Sequence, residues 1–173
     1  MHRSAIAIFA VLAGFLPAAC AKDPFVVAVT DCPAVAFVSH ANTLTRFAPG
    51  RYGDAEGVAL TAVLTGLDVA CHDKGDGVLT DIRFDIIVKR GPAGSADQVT
   101  LPYFVAVARG GDTLAAKQVF QASVTLKGEQ GRGGTIEHIR HRIPTNALAR
   151  KAPHEVLIGF ALSEDEAAYN VRY

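Results

Sequence analysis

Charge imbalance, long hydrophobic runs, helical periodicity and catalytic signatures are what this sequence lacks. Its 17 Lys and Arg side chains are matched by 17 Asp and Glu. No strong field therefore draws it to nucleic acid or to an anionic membrane surface. Its leading apolar run, from Ala5 to Leu16, falls short of the ~20 residues that carry a helix across a bilayer. There is no Gly-x-Ser-x-Gly elbow, so Ser39-His40 has no oxyanion partner with which to form a hydrolase triad. The glycine-rich segment from Gly128 to Gly134 is not followed by Lys-Ser/Thr, which excludes a phosphate loop. Asp73, Asp76 and Asp81 lack the spacing and the closing Glu of a calcium loop, and read as part of a turn.

What is present begins with an address. Arg3 gives a charged start, the apolar run follows, and Pro17-Ala18-Ala19 makes a small-residue exit before the polar Lys22-Asp23-Pro24. That order reads as a secretory signal peptide over residues 1–19, with a tether over 20–31 and one domain over 32–173. Two cleavages compete. Ala18-Ala19-Cys20 resembles the end of a lipobox, with Cys20 becoming the lipid-carrying first residue of the mature chain. Ala19-Cys20-Ala21 instead fits ordinary signal peptidase, which would release a soluble periplasmic or secreted protein after Ala21. Pro17 occupies the position where a lipobox normally has Leu, and Leu16 stands one place too early.

Either route leaves Cys32 and Cys71, an even number in a compartment that permits disulfides. Three cysteines thus read as one processing residue and one bridge. Such a bridge constrains the unfolded chain by roughly 4 kcal/mol through loop-closure entropy. The alternatives are two unpaired buried thiols, or a metal pair for which only His72 beside Cys71 offers a further ligand.

The remainder alternates with period two. Val78, Ile82, Phe84, Ile86 and Val88 share one face, while Asp81, Arg83, Asp85 and Lys89 share the other. Phe120, Ala122, Val124 and Leu126 repeat the pattern, as do Val156, Ile158, Phe160 and Leu162. Leu67, Val69 and Cys71 lie on one face, which turns Cys71 inward. Lys74-Gly75-Asp76-Gly77 and Gly110-Gly111-Asp112 close hairpins. A slip of phase from Val58 and Leu60 to Val63 reads as a bulge. Pro102 demotes its segment to an edge or an irregular start.

Strands are therefore expected near 34–39, 58–72, 78–90, 98–108, 115–127, 135–143 and 154–162. Seven strands with recurring turns predict an all-β, antiparallel two-sheet sandwich of the immunoglobulin or fibronectin kind, with a barrel as the alternative. The chain is not a true immunoglobulin domain. It has no Trp, and its two cysteines would join the opening segment to the next strand, not the two central sheets. Short helical turns are expected at Thr145–Lys151 and from Ser163, where Ser163-Glu164-Asp165-Glu166 has the capping pattern.

Residues 40–56 form the longest irregular segment, and Arg46, Phe47, Arg51 and Tyr52 make it a candidate binding loop. The plainer reading is that Phe47 plugs the sandwich end and Arg46 covers it. His138 and His141 could share a metal on a helix, but Ile139 and Ile143 favour a strand that sends them to opposite faces. No metal, cofactor or catalytic residue is assigned.

With these segments in place, the chain resembles an uncharacterised family of bacterial cell-envelope lipoproteins. The resemblance rests on Cys32-Pro33, Leu44-Thr45-Arg46-Phe47, Lys89-Arg90-Gly91-Pro92-Ala93, Pro102-Tyr103-Phe104-Val105-Ala106-Val107, Gly159-Phe160-Ala161-Leu162-Ser163 and Tyr169-Asn170. It implies a lipid anchor and a periplasmic face, and it brings no reaction with it. The expected function is that of a non-enzymatic, exported binding or accessory domain, partnered by an envelope protein or lipid and held to the membrane through Cys20 if that residue is modified. The alternatives are a carrier of small apolar ligands, with room left by Ala106, Ala108, Ala122 and Gly159, and a metal-dependent hydrolase.

Overall fold

Along Gly77–Arg90 every second side chain is hidden: Val78, Thr80, Ile82, Phe84, Ile86 and Val88 are buried. A strand buries one face because successive side chains point to opposite sides, and the buried row needs a second layer above it. The computed structural model supplies that layer. It describes residues 32–74, 77–110, 113–144 and 154–173. The leader, Cys20, the tether, the turn expected at Thr145–Lys151 and the hairpin tips Gly75-Asp76 and Gly111-Asp112 lie outside the described residues.

The strands are β1 (Ala34–Phe37), β2 (Thr43–Phe47), β3 (Val58–Asp73), β4 (Gly77–Arg90), β5 (Gln98–Arg109), β6 (Thr113–Thr125), β7 (Arg132–Pro144) and β8 (His154–Phe160). One helix, α1 (Glu164–Arg172), follows. The first sheet runs β1-β8-β5-β6 and the second β2-β3-β4-β7. This is the two-sheet sandwich expected, and its sheets do not close into a barrel. Pairing is antiparallel throughout except between β1 and β8, which run parallel.

The core lies between the sheets. Phe84 from the second sheet and Tyr103 from the first meet edge-on at 5.5 Å, Phe37 flanks Phe84 at 6.0 Å, and Phe120 stacks on Tyr103 at 5.3 Å. Leu44, Ile82, Leu101, Ile158 and Phe160 close around them. Each aromatic pair adds about 0.5–1.5 kcal/mol beyond the area it buries.

Five expectations need correction. An eighth strand, β2, occupies part of the segment expected to be irregular, because Leu44 alone drives a five-residue strand into the core. β3 is bulged twice, where Leu60 to Val58 spans the single step from Arg46 to Phe47, and between Thr65 and Asp68, with Gly66 at φ 64° and Asp85 Oδ2 2.5 Å from where a Cβ would sit. Leu60, Ala62 and Leu64 stay in phase and are buried, so Val63 marks no slip and faces solvent. Helix α1 runs for nine residues instead of one turn.

The fourth concerns Pro102, which sits in β5, a strand with neighbours on both sides. Its carbonyl accepts from Ala161 at 2.9 Å, on the side where β8 has already ended. The ring nitrogen faces the same side, so no ladder bond is lost. The fifth concerns the course of the Cys32–Cys71 bridge, which forms as expected. Cys32 precedes β1 of the first sheet and Cys71 lies on β3 of the second, so the bridge crosses between sheets. Their Cα atoms are 5.9 Å apart. Thr80, wholly buried and opposite Cys71 in the ladder, points its hydroxyl at the Cys71 sulfur from 3.8 Å.

A bridge of this kind belongs to an oxidising, exported compartment. No helix among the described residues is long and apolar enough to cross a membrane. We predict that native protein resists thiol labelling at Cys32 and Cys71. Replacing both with Ser is predicted to cost about 4 kcal/mol in urea unfolding, given a separation of 39 residues.

Candidate functional site

The candidate loop residues meet the chain's last helix. Ser163 caps α1 by accepting from Glu166 N at 3.2 Å, and Glu166 Oε2 accepts in return from Ser163 N at 2.9 Å. The other carboxylate oxygen of Glu166 accepts from Arg46 Nε at 3.0 Å. One side chain thus starts the helix and fastens it to β2. Tyr52 adds a hydroxyl bond to the Asp165 carbonyl at 3.1 Å. At the far end Asn170 Nδ2 donates to the carbonyls of His40 and Thr43, each at 2.7 Å. His40, held at φ 61°, donates back from Nδ1 to the Asn170 carbonyl at 3.0 Å.

Phe47 belongs to an aromatic cluster centred on Tyr169, which also meets Tyr52 at 6.2 Å. Phe47 is met by Tyr169 at 5.0 Å and by Tyr52 at 5.4 Å, and Tyr173 packs on Tyr169 at 4.9 Å. Arg46, Phe47 and Tyr52 are therefore brought together, and what they hold is α1. Arg51 is not part of this group. It turns to Asp54, donating from Nε at 3.0 Å and Nη2 at 2.6 Å. That bond, helped by the Glu56 backbone N–H, holds the Asp54 carboxyl below its ordinary range.

Beside the helix the outer face of the second sheet is open. A groove of about 410 Å³ has Thr43, Thr61, Val63 and Ile87 along its floor and Tyr169 and Tyr173 against its side. Thr43, Val63, Ile87 and Gly134 stand opposite one another across β2, β3, β4 and β7, and Ile136 lies in the next row opposite Asp85. Val63 is 36% exposed, Ile87 44% and Ile136 48%, which is unusual for β-branched side chains grouped on one surface. Further along the same face the character becomes charged. Asp68, Arg83 and His138 form one row and Ala70, Asp81 and Arg140 another, with Arg140 donating to Asp81 at 2.6 Å.

Two ionisable side chains on the inward-facing rows, Tyr103 and the partly exposed His154, have displaced proton affinities. Tyr103 is 1% exposed and its hydroxyl donates to Glu137 Oε2 at 2.8 Å. Burial first, then the bond to Glu137 and its charge, push the phenol above its ordinary pKa. His154 accepts from Arg109 Nε at 3.4 Å, and burial, then Arg109, then His141 hold it below the ordinary imidazole value. His141 lies on the inner face of β7 and His138 on the outer, so those two do not converge. Among the described residues no group of three or more His, Cys, Asp or Glu is placed to hold a metal. Of the small residues expected to leave room, Ala106, Ala108 and Ala122 are buried, and Gly159 lies against Ala41 and Phe104 on the other side of its strand from the core.

The chain matches no family model, no curated protein and no solved structure.

Sequence reasoning missed Val63, Ile87 and Ile136 as surface residues. Their signal is a break in alternation, since Ile87 stands in the polar phase of β4 and Ile136 between Thr135 and Glu137. Tyr103 and His154 each carry a testable outcome. Tyr103→Phe is predicted to cost about 1.5–3 kcal/mol, the range for a bond to a charged acceptor, read by urea unfolding. His154 binds its proton more weakly folded than unfolded, so its contribution is whole above the unfolded pKa and declines as pH falls through it. Wild-type protein should therefore lose more stability between pH 7 and pH 5 than His154→Gln, as measured by urea midpoints.

Proposed function

We propose that this chain is an exported, non-enzymatic envelope protein, anchored by lipid at Cys20 on the periplasmic side of a bacterial membrane. Its sandwich serves as a binding or accessory module for another envelope protein. The observation that carries this reading is the outer face of the second sheet, where Val63, Ile87 and Ile136 stand exposed beside Tyr169 and Tyr173. Apolar side chains next to tyrosines, with a charged border of Arg83, His138 and Arg140, have the composition of a protein contact surface. The disulfide supports export, and the resemblance to envelope lipoproteins supports the anchor.

In this reading α1 has a defined part. It braces β2 and raises the wall against which a partner segment packs. Ile87 is 44% exposed, so covering it on binding is worth about 1 kcal/mol, and the cost of burying a charge there should bring the loss of capture to tenfold or more. The test is cross-linking in intact envelope followed by purification of wild type and Ile87→Asp. A partner captured by wild type and lost with Ile87→Asp, circular dichroism being unchanged, is the expected outcome. Equal capture by both would remove the outer face from the proposal. Cys20→Ala should abolish labelling by radioactive fatty acid, and processing unaltered in that variant would remove the anchor.

A further inference from the structure

Four strands form the borders of the two sheets, and three of them are defended. Exposed edges invite pairing with another chain, and proteins blunt them by shortness, charge or cover. β1 has four residues and β2 has five, with α1 laid against β2 through Asn170 and Thr43. β7 is long, but it carries Arg132, Glu137, His138, Arg140, His141 and Arg142. β6 has none of these protections. It runs for 13 residues without proline, and Lys117 is its one charged side chain. Even that lysine is drawn off the border, since its ammonium lies over the Phe104 ring of the neighbouring strand, 4.5 Å from the centroid.

The hydrogen-bonding sense of this edge can be worked out. Leu126 N donates to Asp97 O at 2.7 Å, and Ala161 N donates to Pro102 O at 2.9 Å. In an antiparallel ladder bonded pairs recur at every second residue. Carried through the register of β5 with β6, even-numbered residues of β6 such as Gln118, Phe120 and Ala122 bond to β5. The N–H and C=O groups of Lys117, Val119, Gln121 and Ser123 therefore point away from the sheet. Nothing among the described residues pairs with them along this stretch. Their side chains are exposed on the outer face, Val119 by 51%.

We propose that a second copy of this chain pairs along this edge, β6 antiparallel to β6, with Val119 on the two-fold axis. Three observations choose the occupant and the register. First, the strand is complementary to itself when centred there: Val119 faces Val119 of the partner subunit, and Lys117 faces Gln121 of the partner subunit. Second, the two adjacent registers that also set an outward-pointing pair on the axis are worse. Centring on Lys117 sets two ammonium groups face to face. Centring on Gln121 requires Thr125, whose carbonyl is crowded by Gly133 at the start of β7. Third, 17 basic and 17 acidic side chains leave no net repulsion between copies. The pairing is isologous. It joins the two first sheets into one and lines up Phe104 and Val119 of both copies across the outer face. This interface goes beyond the binding face of the second sheet and does not use it.

The test uses the mature protein and three variants. Sedimentation from low to high micromolar concentration should show a dimer that dissociates on dilution. Val119→Pro removes an N–H that the chain's own ladder does not use, so the fold should persist by circular dichroism while the dimer is lost. Val119→Cys should form a disulfide-linked dimer on oxidation, because bonded pairs bring Cα atoms to about 5.5 Å. Gln121→Cys should cross-link at least tenfold less, since that residue faces position 117 of the partner subunit. The proposal is overturned by a wild type that stays monomeric, whether or not it captures an unrelated extended peptide. A Val119→Pro protein that dimerises as wild type does, or equal cross-linking of the two cysteine variants, overturns it as well. If Val119→Pro fails to fold, the cysteine pair decides.

Discussion

Every long strand in this protein has a row of apolar side chains that only the opposite sheet can keep from water. Phe84 and Tyr103 make that contact at the centre, and the rows on either side of them follow from it. Burial is worth about 25 cal/mol for each Å² of apolar surface removed from water, so one residue of slip would turn a whole row outward and forfeit it. Register is thereby fixed for the outer faces as well. Val63, Ile87 and Ile136 become neighbours because the residues on either side of each in the strand are turned inward.

The same constraint explains why the second sheet needs a helix and the first does not. β2 places one wholly buried side chain, Leu44, in the core, and the remainder of the strand is only partly covered. Its partners come from the far end of the chain: Glu166 for Arg46, Tyr169 for Phe47 and Asn170 for Thr43. Glu166 contributes to both capping and docking, so a well-formed α1 and a docked α1 reinforce each other. Polar groups that enter the interior are likewise partnered. Tyr103 reaches Glu137, and Thr80 reaches the disulfide.

Alternation in the long strands was enough to read β3 to β8, the sandwich and the inward aim of Cys71. It failed where few residues carry the signal. β2 is five residues with one buried apolar position, and Thr43, Thr45 and Arg46 around it look like a loop. Val63 reads as a slip only if every apolar residue of a strand faces inward. On a sheet with one open face that assumption breaks down, and the exceptions are the residues of interest. Arg46, Phe47 and Tyr52 stood out by composition, yet their partners Glu166, Asp165 and Tyr169 lie more than a hundred positions away. No local pattern links them. The Ser163 cap was visible, whereas the length of α1 was not, since its hold on β2 and the Phe47 cluster is tertiary.

The bridge between Cys32 and Cys71 also determines how tension would travel through the molecule. Cys32 stands directly ahead of β1, a four-residue strand held to β8 by a short parallel ladder. A pull on the chain before Cys32 would peel that ladder open if it were the first attachment met. The covalent link instead passes the load to β3, the longest strand, which is laddered to β4 on either side of Cys71. Resistance to being dragged by its front end is thus set by the second sheet, and reduction of one bond would move the weak point to β1.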